Sequence, residues 1–197
     1  MTKPRTVLIT GATGVGKSAC ARDLQAATGW GLVSASALVL EAARDLFGVA
    51  HRDDVKRLGR DDQARIHAEA RVRVREALVR TPVSLLDDHL VVLASGGGEI
   101  ILPPADYVPF YGVEAIVVIE AAPARIRAQV AGDQAPRHRL ARSDEEIAAE
   151  QARVVQVARG LQGGHRVIVA DRETLPAGGL TAHLLAILHP IFERNRP

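Results

Sequence analysis

Residues 5–18 constrain this chain more than any other stretch. A short apolar run, RTVLIT, leads directly into Gly11-Ala12-Thr13-Gly14-Val15-Gly16-Lys17-Ser18, and an Ala-rich helical pattern follows. The spacing Gly-x-x-x-x-Gly-Lys-Ser, set between a strand and a helix, has a physical rationale at each position. Its glycines let the backbone curl into a concave ring of N–H groups, which is an anion nest. The helix that follows points its positive end at the same place. A chain that begins this way is committed to a strand–loop–helix unit, and so to a sheet with helices packed on it.

The loop is the Walker A pattern in full. Gly11, Ala12, Thr13, Gly14, Val15, Gly16, Lys17, Ser18 and Ala19 are therefore the candidate ATP-binding residues. Lys17 places a full charge against the β- and γ-phosphates, and Ser18 offers a hydroxyl to Mg2+. A guanine-reading Asn-Lys-x-Asp segment is expected after a late strand in a GTPase. The corresponding stretch here reads Ala170-Asp171-Arg172-Glu173. At 197 residues the chain is also short for a large ATPase, which leaves a small kinase.

The rest of the chain reads as alternating elements. Strands are expected at 5–10, 31–34, 83–89, 115–120 and 165–170, with a hairpin across 89–102 around Gly96, Gly97 and Gly98. Helices are expected at 19–28, closed by Gly29; at 37–47, capped by Ser36; across 52–80; from Pro123; at 144–160; and at 178–194. Ile66, Ala70, Val74, Ala77 and Leu78 recur on one helical face. Ser143 and Glu146 have capping-box spacing. Pro103, Pro104 and Pro109 mark a loop. The alternation predicts an α/β fold of three layers, a mostly parallel sheet with helices on both faces. It fits one domain over 1–197, with two excursions at 36–80 and 132–143.

Composition excludes several classes. Hydrophobic residues are 47% of the chain, too many for a disordered one, and aromatics are 3%, so the core must be aliphatic. The net charge of +2 offers no general nucleic-acid surface. No apolar run has the length of a membrane span, and the N-terminal run lacks the form of a signal peptide. The single cysteine, Cys20, reads as a buried core residue and suits a reducing cytoplasm.

Three further groups are candidates. Asp87 and Asp88 end a buried strand, and one of them would face the phosphates to hold Mg2+ through water or to orient the acceptor. His89 follows and could bind acceptor phosphate. Arg137 and Arg139, in a polar basic loop, could fold over the transferring group as a lid.

With these residues in view, the chain resembles the nucleoside monophosphate kinases, most of all the archaeal type of adenylate kinase. The segments that carry the resemblance are TGATGVGKS, VSASALVLEAA, HRDDVKRLGRDDQARI, LDDH, HLVVLASGGGEIILPP, IVVIEA and APRHRLARSDEEI. It implies that Ser34, with the helix start up to Glu41, and Arg52, Asp53, Gln63, Arg65 and Ile66 lie in the acceptor-binding helices. It also implies that Asp87 and His89 form an Asp-x-His at the third strand's end, and that Arg137 and Arg139 are the paired lid arginines. Lys17, Arg137, Arg139 and Asp87 would then be catalytic, with Ser18 and Asp87 at the metal. Archaeal members form trimers, so the resemblance admits a homo-oligomer.

The chain also departs from the family pattern. The hairpin lacks the usual tyrosine and one glycine, Leu140 stands where an acid usually follows the lid arginines, and the loop before the second strand is shorter. The donor half is kept and the acceptor half altered. Three functions follow: phosphoryl transfer from ATP to a nucleoside monophosphate; transfer to another small molecule, such as a metabolite or antibiotic, with Asp87 or Asp88 as base; or ATP binding without catalysis.

Overall fold

The computed structural model describes residues 4–55, 57–93, 100–101, 103–132, 142–175 and 179–193. At its centre are β1 (Thr6–Gly11) and, beside it, the eight-residue strand β6 (Val113–Glu120). These hydrophobic runs belong to a sheet covered on both sides, since apolar residues occupy successive positions rather than alternate ones.

In chain order, β1 is followed by α1 (Lys17–Thr28), β2 (Gly31–Ser34), α2 (Ala35–Phe47), α3 (Arg52–Val55), α4 (Arg60–Leu78) and β3 (Ser84–Asp87). Then come β4 (Val92–Leu93), β5 (Ile100–Ile101), α5 (Tyr107–Tyr111), β6, α6 (Pro123–Ala131), α7 (Asp144–Gly160), β7 (Arg166–Asp171) and α8 (Gly179–Glu193). The main sheet runs β2-β3-β1-β6-β7, and every pairing in it is parallel. As expected, β4 and β5 form a separate antiparallel pair, Val92 opposite Ile101.

Strand alternation divides the core. Val7 and Ile9 of β1 face a layer built with Leu24 of α1, Ile126 of α6, and Leu184, Leu188 and Phe192 of α8. Leu8 faces the other layer, with Val74 and Leu78 of α4, Tyr107 and Tyr111 of α5, and Val154 of α7. Cys20 lies in the first layer, and burial pushes its thiol up to about 12, which leaves it an unreactive core residue as expected. A third, smaller cluster of Ala42, Ala43, Val55, Ile66 and Ala70 holds the 36–80 helices together. Each large aliphatic side chain buried in these layers contributes about 1.5–3 kcal/mol.

Local signals were met at several ends. Gly29 closes α1 in the left-handed conformation, φ 69°, its amide donating to the Gln25 carbonyl at 2.8 Å. The capping box is formed in both directions, Glu146 N to Ser143 Oγ at 3.2 Å and Ser143 N to Glu146 Oε2 at 2.7 Å.

Three expectations are corrected. Helix α2 begins two residues earlier than a cap at Ser36 would allow: Ser34 is its N-cap, and Ser36 lies inside the first turn, its Oγ 3.2 Å from Ser34 Oγ. The helical stretch 52–80 is broken into α3 and α4, with Gly59 as the N-cap of α4. The proline-rich stretch before β6 contains the helix α5, because the Tyr107, Val108 and Tyr111 side chains have an apolar layer to enter. Among the described residues no helix is long and apolar enough to cross a membrane.

Candidate active site

In a parallel sheet all strands end on one side, and here that edge collects Ser34, Asp87, Gly11, Glu120 and Asp171 from five strands. The glycine loop rises from this edge. At Gly11 the chain turns with φ 147°, and a Cβ there would stand 2.5 Å from the Ile119 carbonyl oxygen of the neighbouring strand. Only glycine lets the loop leave the sheet so closely.

Gly16, φ 97°, is the N-cap of α1 and supplies no capping side chain, and the first turn of α1 has no acidic residue. The amides that a helix leaves unpaired at its start are therefore not claimed by a side-chain cap. Lys17 is 6% exposed, and its Nζ lies 3.1 Å from the Gly11 carbonyl oxygen and 3.0 Å from that of Ala12. The ammonium is thus held against the loop by two of the loop's own carbonyl oxygens. The residues suit a polyphosphate on chemical grounds: a cradle that a Cβ would obstruct, an uncapped helix start and a cation.

Ser18 lies in the first turn of α1, exposed like Ala19, and its Oγ donates to Asp87 Oδ2 at 2.6 Å. Of the two adjacent acids, Asp87 is thus the one against the loop serine. Asp88 turns away and is held by the Tyr107 hydroxyl at 2.7 Å and by the His89 amide at 2.7 Å. Burial raises its carboxyl to about 6, although these two hydrogen bonds pull it back toward the ionised form. The Tyr107 hydroxyl is pushed well above its usual value by its own burial and by the neighbouring Asp88. An oxygen pair such as Ser18 and Asp87 suits Mg2+, which keeps waters and phosphate oxygens as its other ligands. Among the described residues no cluster of three or more His, Cys, Asp or Glu forms a metal cage.

Ser34 ends β2 in register with Asp87, so this acceptor candidate stands on the strand edge beside the acid. His89 is half-buried just beyond Asp88. Gln63, in the first turn of α4, donates its amide to the Leu58 carbonyl at 2.8 Å, closing the helix entry. Arg52 opens α3. Arg137 and Arg139 lie outside the described residues.

Sequence reasoning missed several groups that touch the loop. Arg172 donates to the Val15 carbonyl at 3.0 Å, and a Cβ on Gly16 would meet its Nη1 at 2.7 Å. Arg142, just before α7, donates to the Thr13 carbonyl at 2.9 Å and pairs with Glu150 of α7, which accepts the Thr13 amide at 3.1 Å. Arg142 sits in the same basic stretch as Arg137 and Arg139. Glu150 has no local signal, since it sits in an ordinary helix.

A family model described as AAA domain matches residues 10–148. The adenylate kinase of Thermococcus kodakarensis is 31% identical over 150 residues, covering 75% of each chain. The chain belongs to this family of P-loop kinases. A further archaeal relative, the adenylate kinase of Pyrococcus horikoshii, is 32% identical over 62% of this chain and 63% of its own. Solved structures extend the likeness at the level of the fold alone. Shikimate kinase from Bacteroides thetaiotaomicron superposes with a TM-score of 0.62 at 14% identity, over 94% of this chain and 98% of that one. A gluconokinase from Sinorhizobium meliloti gives 0.51 at 14% identity, over 98% and 97%. This P-loop kinase is thus an ATP-dependent phosphotransferase on a three-layer α/β frame.

Proposed function

We propose that this P-loop kinase transfers the γ-phosphoryl group of ATP to a nucleoside monophosphate, giving a nucleoside diphosphate and ADP. The Ser18–Asp87 contact carries the reading, since it joins the hydroxyl of the phosphate loop to an acid at the end of the neighbouring strand. The archaeal adenylate kinases among its relatives support the choice of acceptor.

In this reading the loop Gly11 to Ala19 receives the triphosphate on the amides at the start of α1, the Thr13 amide being held by Glu150, and Lys17 holds its β- and γ-oxygens. Mg2+, taken by Ser18 and by Asp87 through water, would neutralise charge on the phosphates. Arg137 and Arg139 would spread the charge of the moving group from the loop 132–143. The acceptor would lie over Ser34, Asp87 and His89 and be flanked by Arg52 and Gln63 of the 36–80 helices. Phosphoryl transfer needs little covalent help, so alignment and charge stabilisation supply most of the rate.

A second reading, transfer to a hydroxyl of a small metabolite or antibiotic, is favoured by the altered hairpin 89–104, where Gly98 is followed by Glu-Ile-Ile-Leu-Pro-Pro. The test is ADP release from Mg-ATP in the presence of AMP, CMP, UMP, GMP or dTMP, with a control lacking acceptor. Turnover with a monophosphate is expected. Silence across the panel with ATP bound would overturn the nucleotide acceptor and leave either another acceptor or ATP binding without catalysis.

A further inference from the structure

We propose that Glu150 and Arg142 are positioning residues that hold the phosphate loop in its anion-receiving form, and that the guanidinium also shields the bound triphosphate from the Glu150 charge. The inference rests on reading Gly11 to Ser18 as the triphosphate site. Both main-chain groups of Thr13 are engaged by this pair: Glu150 Oε1 accepts the amide at 3.1 Å, and Arg142 Nη2 donates to the carbonyl at 2.9 Å. Arg142 Nη1 meets the other carboxylate oxygen of Glu150. Glu150, Arg142 and Thr13 thus close a ring that grips one residue of the loop on both sides. A glycine-rich loop has many backbone states, and clamping both ends of one residue removes much of that freedom.

The clamp stands on a rigid support. The Glu150 side chain is 5% exposed, on a helix whose start is fixed by the Ser143–Glu146 capping box. The next residue, Gln151, grips the end of β6 at both faces of Ala121, accepting its amide at 2.9 Å and donating to its carbonyl at 3.1 Å. Since β6 pairs with β1 up to Ile119 opposite Gly11, helix and loop are tied to the same strand ends.

The charges make the role distinguishable from simple packing. A buried carboxylate at the edge of a polyanion site repels the ligand and must be paired. Glu150 is tolerated there because Arg142 faces it. Removing the arginine alone should therefore harm nucleotide binding more than removing both charges does.

The test is the Kd of Mg-ADP for Arg142→Ala, Arg142→Lys, Glu150→Gln and the double variant Arg142→Ala/Glu150→Gln, with thermal melting alongside. Arg142→Ala should weaken binding by about tenfold or more, the weight of a charge-assisted hydrogen bond. The double variant should recover part of that loss. Arg142→Lys, which keeps the charge but cannot bridge both partners, should fall between Arg142→Ala and wild type, and it keeps the test usable if the alanine variant does not fold. Unchanged Kd with a lowered melting temperature would overturn the proposal, as would losses that simply add in the double variant. Because the readout is ADP binding, failure of every acceptor in the turnover panel would refute the acceptor assignment and leave this test intact.

Discussion

Ser18 Oγ donates to Asp87 Oδ2 across 2.6 Å, linking the first turn of α1 to the end of β3. The two residues are far apart in the chain and meet because β1 and β3 pair in parallel, Ile9 opposite Asp87. These two oxygens are the pair proposed above to take Mg2+, a hard cation that prefers oxygen ligands. Ser18→Ala and Asp87→Asn should each raise the Mg2+ concentration needed for half-maximal turnover and lower kcat by about tenfold or more. An unchanged Mg2+ titration in both variants would remove them from the metal site.

Lys17 lies buried against the loop with its ammonium on the Gly11 and Ala12 carbonyl oxygens. Lys17→Ala should weaken ATP binding by at least about tenfold, since hydrogen bonds from a charged group are worth about 1.5–3 kcal/mol. Calorimetric titration with ATP measures this, and wild-type affinity in the variant would sink the assignment of the loop.

A methyl group at Gly11 has no room, with the Ile119 carbonyl oxygen 2.5 Å from its position and φ at 147°. Gly11→Ala should cost about 1–3 kcal/mol of stability through backbone strain. For a chain of this size that lowers Tm by about 2–4 °C per kcal/mol. The displaced loop should also bind ATP less tightly, and a melting curve matching wild type would contradict the close approach.

Burial lifts the Asp88 carboxyl to about 6. The folded protein therefore holds this proton more tightly than the unfolded chain, whose aspartates titrate near about 3.9. Its contribution to stability is complete below about 4 and is lost as pH rises through about 6. Melting temperatures taken from pH 4 to 7 should fall more steeply for wild type than for Asp88→Asn. Parallel curves would show that Asp88 titrates as an ordinary surface acid.

Arg137 and Arg139 are proposed to act on the transferring group. The pair changed to alanine should lower kcat by about 10²-fold or more, the scale seen when a transition-state donor is removed. ATP Kd should change far less, because the benefit arises as charge develops. Equal losses in both quantities would place these arginines in ground-state binding.

The sequence by itself determined the frame and the phosphate loop. Both rest on local rules: glycines at the loop turns, apolar runs for buried strands, Gly29 to stop α1, Ser143 and Glu146 to start α7. Each needs only a few neighbouring residues to be read. Tertiary structure decided the rest. Which of Asp87 and Asp88 meets Ser18 depends on where β3 stops and on Tyr107 claiming Asp88 from a helix read as a loop. Residues 107–111 became helical because an apolar layer was there to receive the tyrosines, although Pro109 argued against it locally. Arg172, Arg142 and Glu150 reach the phosphate loop from distant segments, and no spacing in the chain records a contact made only when two strand ends and a helix are brought to one edge of the sheet.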